Sequence, residues 1–142
     1  MSDVVVDSSV IAKWFVPEPD SAQARRVITD TAAAGGRLVV LDLILIEVAN
    51  VIWKKHRQKL ITLAEAKGSL ADLMHSPVHL EPAARLLDQA FAIAIKYDRA
   101  VYDALFVALV QDLGVKGVTA DEPLYKATHA DFPLVLRLRD WP

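Results

Sequence analysis

Three β-branched residues in a row, Val4, Val5 and Val6, are followed at once by an acid, Asp7. A short run with no polar member reads as a strand covered on both faces, because a half-solvated strand would alternate. Leu38, Val39, Val40 and Leu41 make a second run of this kind. Helix signals fall between such runs. Asp20 and Ser21 offer an N-cap to a helix over 22–34, which Gly35 and Gly36 end. Ile44, Glu47, Val48, Val51 and Ile52 recur every three or four residues, which predicts a helix over 43–56 with Glu47 beyond its first turn. Thr62 and Glu65 have the spacing of a capping box, so another helix starts there and runs to about residue 75. Residues 78–80, 117–119 and 134–136 read as further strands, with helices over 83–96, from 102 to 113, and briefly after Pro123. Strands alternating with helices predict a three-layer α/β/α sandwich around a mainly parallel, five-stranded sheet.

Composition limits the alternatives. A chain of 142 residues suits a single domain over 1–142, and its 54% hydrophobic content excludes disorder. The apolar runs are far shorter than the roughly 18–20 residues of a membrane span. The start, Met-Ser-Asp, lacks a basic flank and a long apolar stretch, which predicts a cytoplasmic protein without a secretory signal. With no cysteine, disulfides and thiolate zinc sites are excluded. The formal charge of −2 gives no general attraction to nucleic acid.

Four acids occupy positions where a solvated charge is unexpected. Asp7 follows the first strand, and Glu47 lies in an otherwise apolar stretch. Asp103 stands between Val101-Tyr102 and Ala104-Leu105-Phe106-Val107, and Asp121 follows Val118-Thr119-Ala120. Singly, each could be an N-cap or first-turn acid favoured by the helix dipole. If the strand order is 3-2-1-4-5, the connections reverse between strands 1 and 4, and ligands bind outside the carboxyl ends of strands at that reversal. Asp7 and Asp121 then flank the crevice. The Glu47 helix and the Asp103 helix both begin on the same edge.

Converging carboxylates repel, and a hard divalent cation such as Mg²⁺ relieves them through oxygen ligands and retained waters. Such an ion supports in-line displacement at a phosphodiester. The four histidines, His56, His75, His79 and His129, are scattered, and HExxH is absent, which disfavours zinc. Without GxxxxGK[ST] or GxGxxG, no nucleotide-phosphate cradle is present. Setting the four acids aside leaves 14 acids against 16 bases, so the composition describes an acidic centre within a slightly basic remainder.

Taken together, these motifs resemble the PIN-domain family, and within it the VapC-type ribonuclease toxins of toxin–antitoxin pairs. Val4 to Val10 is similar to the family's opening strand, with its acid at Asp7 and a hydroxyl two positions on at Ser9. Leu43 to Asn50 resembles the helix bearing the family's Glu and the Asn that follows it. Tyr102 to Leu109 resembles the third acidic motif, and Thr119-Ala120-Asp121 the fourth. The resemblance spans essentially the whole chain. One departure is Leu41-Asp42 before the second of these helices, where the family often has Pro.

The resemblance implies a metal-dependent endoribonuclease, with Mg²⁺ or Mn²⁺ held at Asp7, Glu47, Asp103 and Asp121. It makes Asp7 and Asp103 the principal ligands, and gives Glu47 and Asp121 the orientation of the attacking water. Ser9, Thr119 and Asn50 become supporting residues. It further implies an antitoxin partner, a homodimer and no membrane association.

Other residues carry plainer expectations. Lys54, Lys55 and Arg57 end a helix, where cations complement its dipole or form an RNA-contacting rim with Lys13, Arg25 and Arg26. Trp14 and Phe15 follow the first strand on a short helix or turn and either pack into the core or, as the resemblance implies, form a groove for the antitoxin with the Glu47 helix. Trp53 has the same two readings. Gly68 suggests close packing or a bend. Arg137 to Arg139 reads as a solvated strand end, and Asp98 as surface. A receiver-like signalling domain is an alternative from another class, and would use Asp7, Glu81 and Arg137. A PIN domain that binds RNA without cleaving it is a second alternative.

Overall fold

Val4–Val6 forms β1, with all three side chains buried, at the centre of a five-stranded parallel sheet. The computed structural model describes residues 2–142. Leu38–Leu41 (β2), Val78–Glu81 (β3), Lys116–Thr119 (β4) and Val135–Arg137 (β5) complete the sheet in the order β3-β2-β1-β4-β5. Val5 faces Val39 on one side and Gly117 on the other. The predicted strand order is therefore present, and with it a reversal of connection between β1 and β4.

Seven α-helices cover the sheet: α1 (Ser8–Phe15), α2 (Ser21–Ala33), α3 (Ile44–Arg57), α4 (Leu63–Met74), α5 (Leu87–Tyr97), α6 (Val101–Leu113) and α7 (Glu122–Thr128). The segment after β1 is thus a full two-turn helix. The expected 83–96 helix divides into a 3₁₀ turn over Ala84–Leu86 and then α5. The tightening begins where the Ala83 amide donates to Asp42 Oδ1 at 3.2 Å and the Leu86 amide to the Ala83 carbonyl. The fifth strand begins one residue later than its pattern suggests.

Two local expectations are corrected by side-chain contacts. Asp20 occupies the N-cap position of α2 but accepts no capping hydrogen bond, because its carboxylate pairs with Lys13 at 2.9 Å. Arg137 is not simply solvated: it pairs with Asp140 at 2.7 Å and Glu122 at 3.4 Å, while Leu138 is buried. Thr62 and Glu65 do form the reciprocal capping box. Gly68 has open space where a Cβ would lie, so neighbouring atoms do not require glycine there.

Gly117 is different. A Cβ on it would come within 2.2 Å of Val110 Cγ2 and 3.0 Å of the Phe106 ring. β4 and α6 therefore approach across a glycine. Residues Ala104 to Val110 are all buried, which makes α6 the most enclosed helix among those described. Asp103 stands one residue before this buried run, so packing of α6 on the sheet fixes its height at the carboxyl edge.

Candidate active site

Asp7 leaves β1 with its amide bonded to the Val118 carbonyl at 3.0 Å, tying the ends of β1 and β4 together. Its carboxylate is buried and accepts two hydroxyl hydrogen bonds on Oδ2, from Ser9 and Thr119, each at 2.7 Å. The network continues outward. Ser9 Oγ accepts from the Ala120 amide at 2.9 Å, and Thr119 Oγ1 from the Asp121 amide at 3.0 Å. Asp121 caps α7 by accepting from the Leu124 amide at 3.1 Å. Ser9 and Thr119 thus couple the two acids across the topological reversal.

Glu47 reaches the same crevice from α3. The helix begins at Ile44, so Glu47 lies in its first turn rather than beyond it, its amide donating to the Leu43 carbonyl at 3.1 Å. Asp103 comes from the first turn of α6. The four acids act electrically as one group. Burial pushes Glu47 up to about 7, and the charges of Asp7 and Asp103 add to the shift. Burial likewise pushes Asp103 up to about 6, with Asp7 and Asp121 contributing and Arg99 opposing. Asp7 is also raised, chiefly by burial, although the hydroxyls of Ser9 and Thr119 work against the rise. Repulsion of this kind is what a bound cation would relieve.

The donor set suits a hard cation, since these four side chains offer carboxylate oxygen alone. Among the described residues, no three or more His, Cys, Asp or Glu side chains form a ready-made metal cage. Mg²⁺ does not need one, because one or two direct carboxylates and several waters suffice. Asp7, anchored through one oxygen, is the most fixed of the candidates.

The expected basic rim is only partly drawn to this edge. Lys13 has a side chain only 15% exposed and is held between Glu18 and Asp20. Arg26 pairs with Asp30 and the Pro142 carbonyl, and Arg25 lines a groove with Trp14, Phe15 and Asp72. Arg57 lies over Trp53 at 5.1 Å, while Lys54 is exposed about two turns beyond Glu47. Asn50 is exposed and makes no hydrogen bond to Glu47 among the described residues. Arg99 is the cation missing from the sequence-based set. It lies in the link before α6, where no helical spacing marks it.

Residues 4–130 match the PIN domain. The chain belongs to the PIN-domain family. It is 39% identical over 123 residues to Ribonuclease VapC3 of Pyrobaculum aerophilum, an alignment covering 85% of this chain and 91% of that protein. Solved structures share the PIN fold at lower identity. Mycobacterium tuberculosis VapC20, described as a toxin cleaving the sarcin-ricin loop, superposes with a TM-score of 0.68 at 18% identity, over 89% of this chain and 95% of its own. A toxin–antitoxin complex from Klebsiella pneumoniae gives 0.64 at 15% identity, over 96% and 98%. In this PIN domain, Thr119→Val should leave the fold intact, removing one donor from Asp7 and the acceptor for the Asp121 amide. We expect cleavage of RNA to fall about tenfold or more, with a melting temperature within a few degrees. Measured rates and melts that change together would show that Thr119 serves only stability.

Proposed function

We propose that this PIN domain is an endoribonuclease toxin that requires Mg²⁺ or Mn²⁺ and is restrained by an antitoxin in the cytoplasm. The observation that carries the proposal is the gathering of Asp7, Glu47, Asp103 and Asp121 at the reversal between β1 and β4, with two carboxyls raised by burial and mutual repulsion. The likeness to a protein named a ribonuclease supplies the substrate class.

Asp7 and Asp103 would hold the ion, with Glu47 and Asp121 completing its surroundings directly or through water. When bound, the cation supplies Lewis-acid stabilisation of the charge that builds on the phosphodiester. The protein's own groups do the rest. Ser9 and Thr119 fix the rotamer of Asp7. Glu47 and Asp121 orient the water that attacks phosphorus in line with the departing oxygen, and Glu47 is suited to accept its proton. The enclosing apolar packing of α6 keeps Asp103 from turning away.

Two exposed apolar surfaces support an antitoxin and a second copy of the chain as partners. Ala49, Ile52, Trp53, Leu63, Ala66 and Leu70 line a cavity of about 190 Å³ between α3 and α4. Leu87, Phe91 and Ile95 repeat every fourth residue along α5 and are each more than half exposed. We assign the first to the antitoxin and the second to the homodimer.

The receiver-like alternative loses its supporting residues. Glu81 is engaged by Arg85 and His79, and Arg137 by Glu122 and Asp140. The direct test uses purified chain, freed of any antitoxin, with single-stranded RNA in magnesium, manganese or chelator. Cleavage should require either metal and fall at least about a hundredfold in Asp7→Asn. No cleavage in either metal would overturn the assignment, and tight binding without cleavage would favour the non-catalytic alternative.

A further inference from the structure

Arg99 lies in the three-residue link between α5 and α6, on a backbone held in an unusual shape. Asp98, which caps α5, adopts the left-handed conformation at φ 52° and ψ 52°, one that non-glycine residues take rarely and at some cost. The turn is closed by the Arg99 amide, which donates to the Ala94 carbonyl at 3.1 Å. The side chain is then fixed from below: Arg99 Nε donates to the Asp98 carbonyl at 2.8 Å. A guanidinium held at Nε keeps its two terminal nitrogens directed away from that contact.

Those terminal nitrogens have no partner among the described residues. Most of the other arginines are differently placed. Arg26, Arg37, Arg85, Arg137 and Arg139 each pair with a carboxylate, and Arg57 lies on Trp53. Arg25 is unpaired too among the described residues, but lines the groove with Trp14, Phe15 and Asp72. Arg99 is half-buried, four residues before Asp103 in sequence, and forms no ion pair with it within 4.0 Å. Its charge is nevertheless felt at the Asp103 carboxyl. A cation beside Asp103, and yet uncommitted, is arranged to receive an anion from outside.

The anion that must approach is the RNA backbone, which the acids by themselves repel. We propose that Arg99 binds a backbone phosphate next to the one cleaved, its two terminal nitrogens taking two non-bridging oxygens and setting the register of the strand over Asp103. A guanidinium fork matches that pair of oxygens, and fixing Nε in advance reduces the freedom lost on binding. This proposal rests on the endoribonuclease assignment. It makes Arg99 a substrate-binding residue, with no part in holding the ion.

The test measures both binding and turnover. With a short single-stranded oligoribonucleotide at fixed magnesium, Arg99→Ala in the cleavage-deficient Asp7→Asn chain should weaken binding about tenfold. The slope of log Kd against log salt should fall by roughly 0.7, the value for one phosphate contact on a single strand. Arg99→Lys, which keeps the charge without the fork, should restore the slope but only part of the affinity. In the otherwise native chain, Arg99→Ala should raise KM with a smaller change in kcat, whereas Arg37→Ala, immediately before β2 on the opposite edge of the sheet, should alter neither. Unchanged affinity and salt slope in both Arg99 variants would overturn the proposal, whatever happens to kcat. A fall in kcat at constant KM would also overturn it, assigning Arg99 to the electrostatics of Asp103. If Arg99→Ala does not fold, Arg99→Gln gives the same comparison. Failure of the native chain to cleave RNA at all would instead sink the endoribonuclease assignment.

Discussion

Asp103→Asn should destroy RNA cleavage, by about a hundredfold or more, and at the same time make the metal-free chain harder to melt at pH 8. The second effect follows from the direction of the shifts. Asp103 is raised from 3.8 to about 6 and Glu47 from 4.5 to about 7, so in the folded chain both hold their protons more tightly than when unfolded. Stability is therefore greatest below the ordinary carboxyl range and is lost as pH rises through about 4 to 7. Above that window both groups are charged and the full penalty remains. Asparagine removes one charge, and with it part of the repulsion that lifts Glu47. Both groups are partly exposed, so solvent screening reduces the gain to about 1 kcal/mol, or some 3–5 °C. Magnesium should then raise the melting temperature of the native chain more than that of the variant. Thermal melts in chelator at pH 5.5 and 8, beside cleavage assays, decide the matter. A variant that melts no higher than the native chain at pH 8, or that still cleaves, would contradict the role given to this acid.

That trade between stability and chemistry also explains which features were legible in the sequence. An acid ending a β-branched run, as Asp7 does, conflicts with its surroundings, and such conflicts collect at functional sites. Glu47, Asp103 and Asp121 were found the same way. Their convergence needed the strand order, which rested on an assumption about how the connections reverse. The supporting roles of Ser9 and Thr119 came only with the PIN-domain resemblance. Arg99 escaped because an exposed-looking arginine in a turn conflicts with nothing. Its placement depends on the left-handed Asp98 and on the Asp98 carbonyl, neither of which leaves a pattern in residue types. Lys13 failed in the opposite way: as a basic residue near the first acid it suggested a rim, but Glu18 and Asp20 lie within its reach. The division of the 83–96 helix depended on a distant acceptor, Asp42, and so could not be read locally.

Gly117→Ala adds a single methyl group, yet it should destabilise the fold and silence the site from behind the sheet edge that carries it. The added Cβ would lie 2.2 Å from Val110 Cγ2 and 3.0 Å from Phe106, both on the buried face of α6. Real carbon atoms do not approach so closely, so either the side chains leave their rotamers or the helix lifts from β4. Phe106 and Val110 are almost fully enclosed, which leaves rotation little room. Overpacking of this kind costs about 1–3 kcal/mol, a fall of roughly 3–10 °C in melting temperature. A lifted α6 would carry Asp103 away from Asp7, so cleavage should fall further than the loss of folded protein explains. The compensating change provides the control. Val110→Ala alone opens a small cavity and destabilises, but in combination with Gly117→Ala it makes room for the new methyl. The double variant should therefore be more stable than the two separate losses predict, with a coupling of about 1 kcal/mol, and should regain activity. Gly117→Ala melting within a degree of the native chain, or strictly additive losses, would mean that the approach of α6 to β4 does not set the height of Asp103.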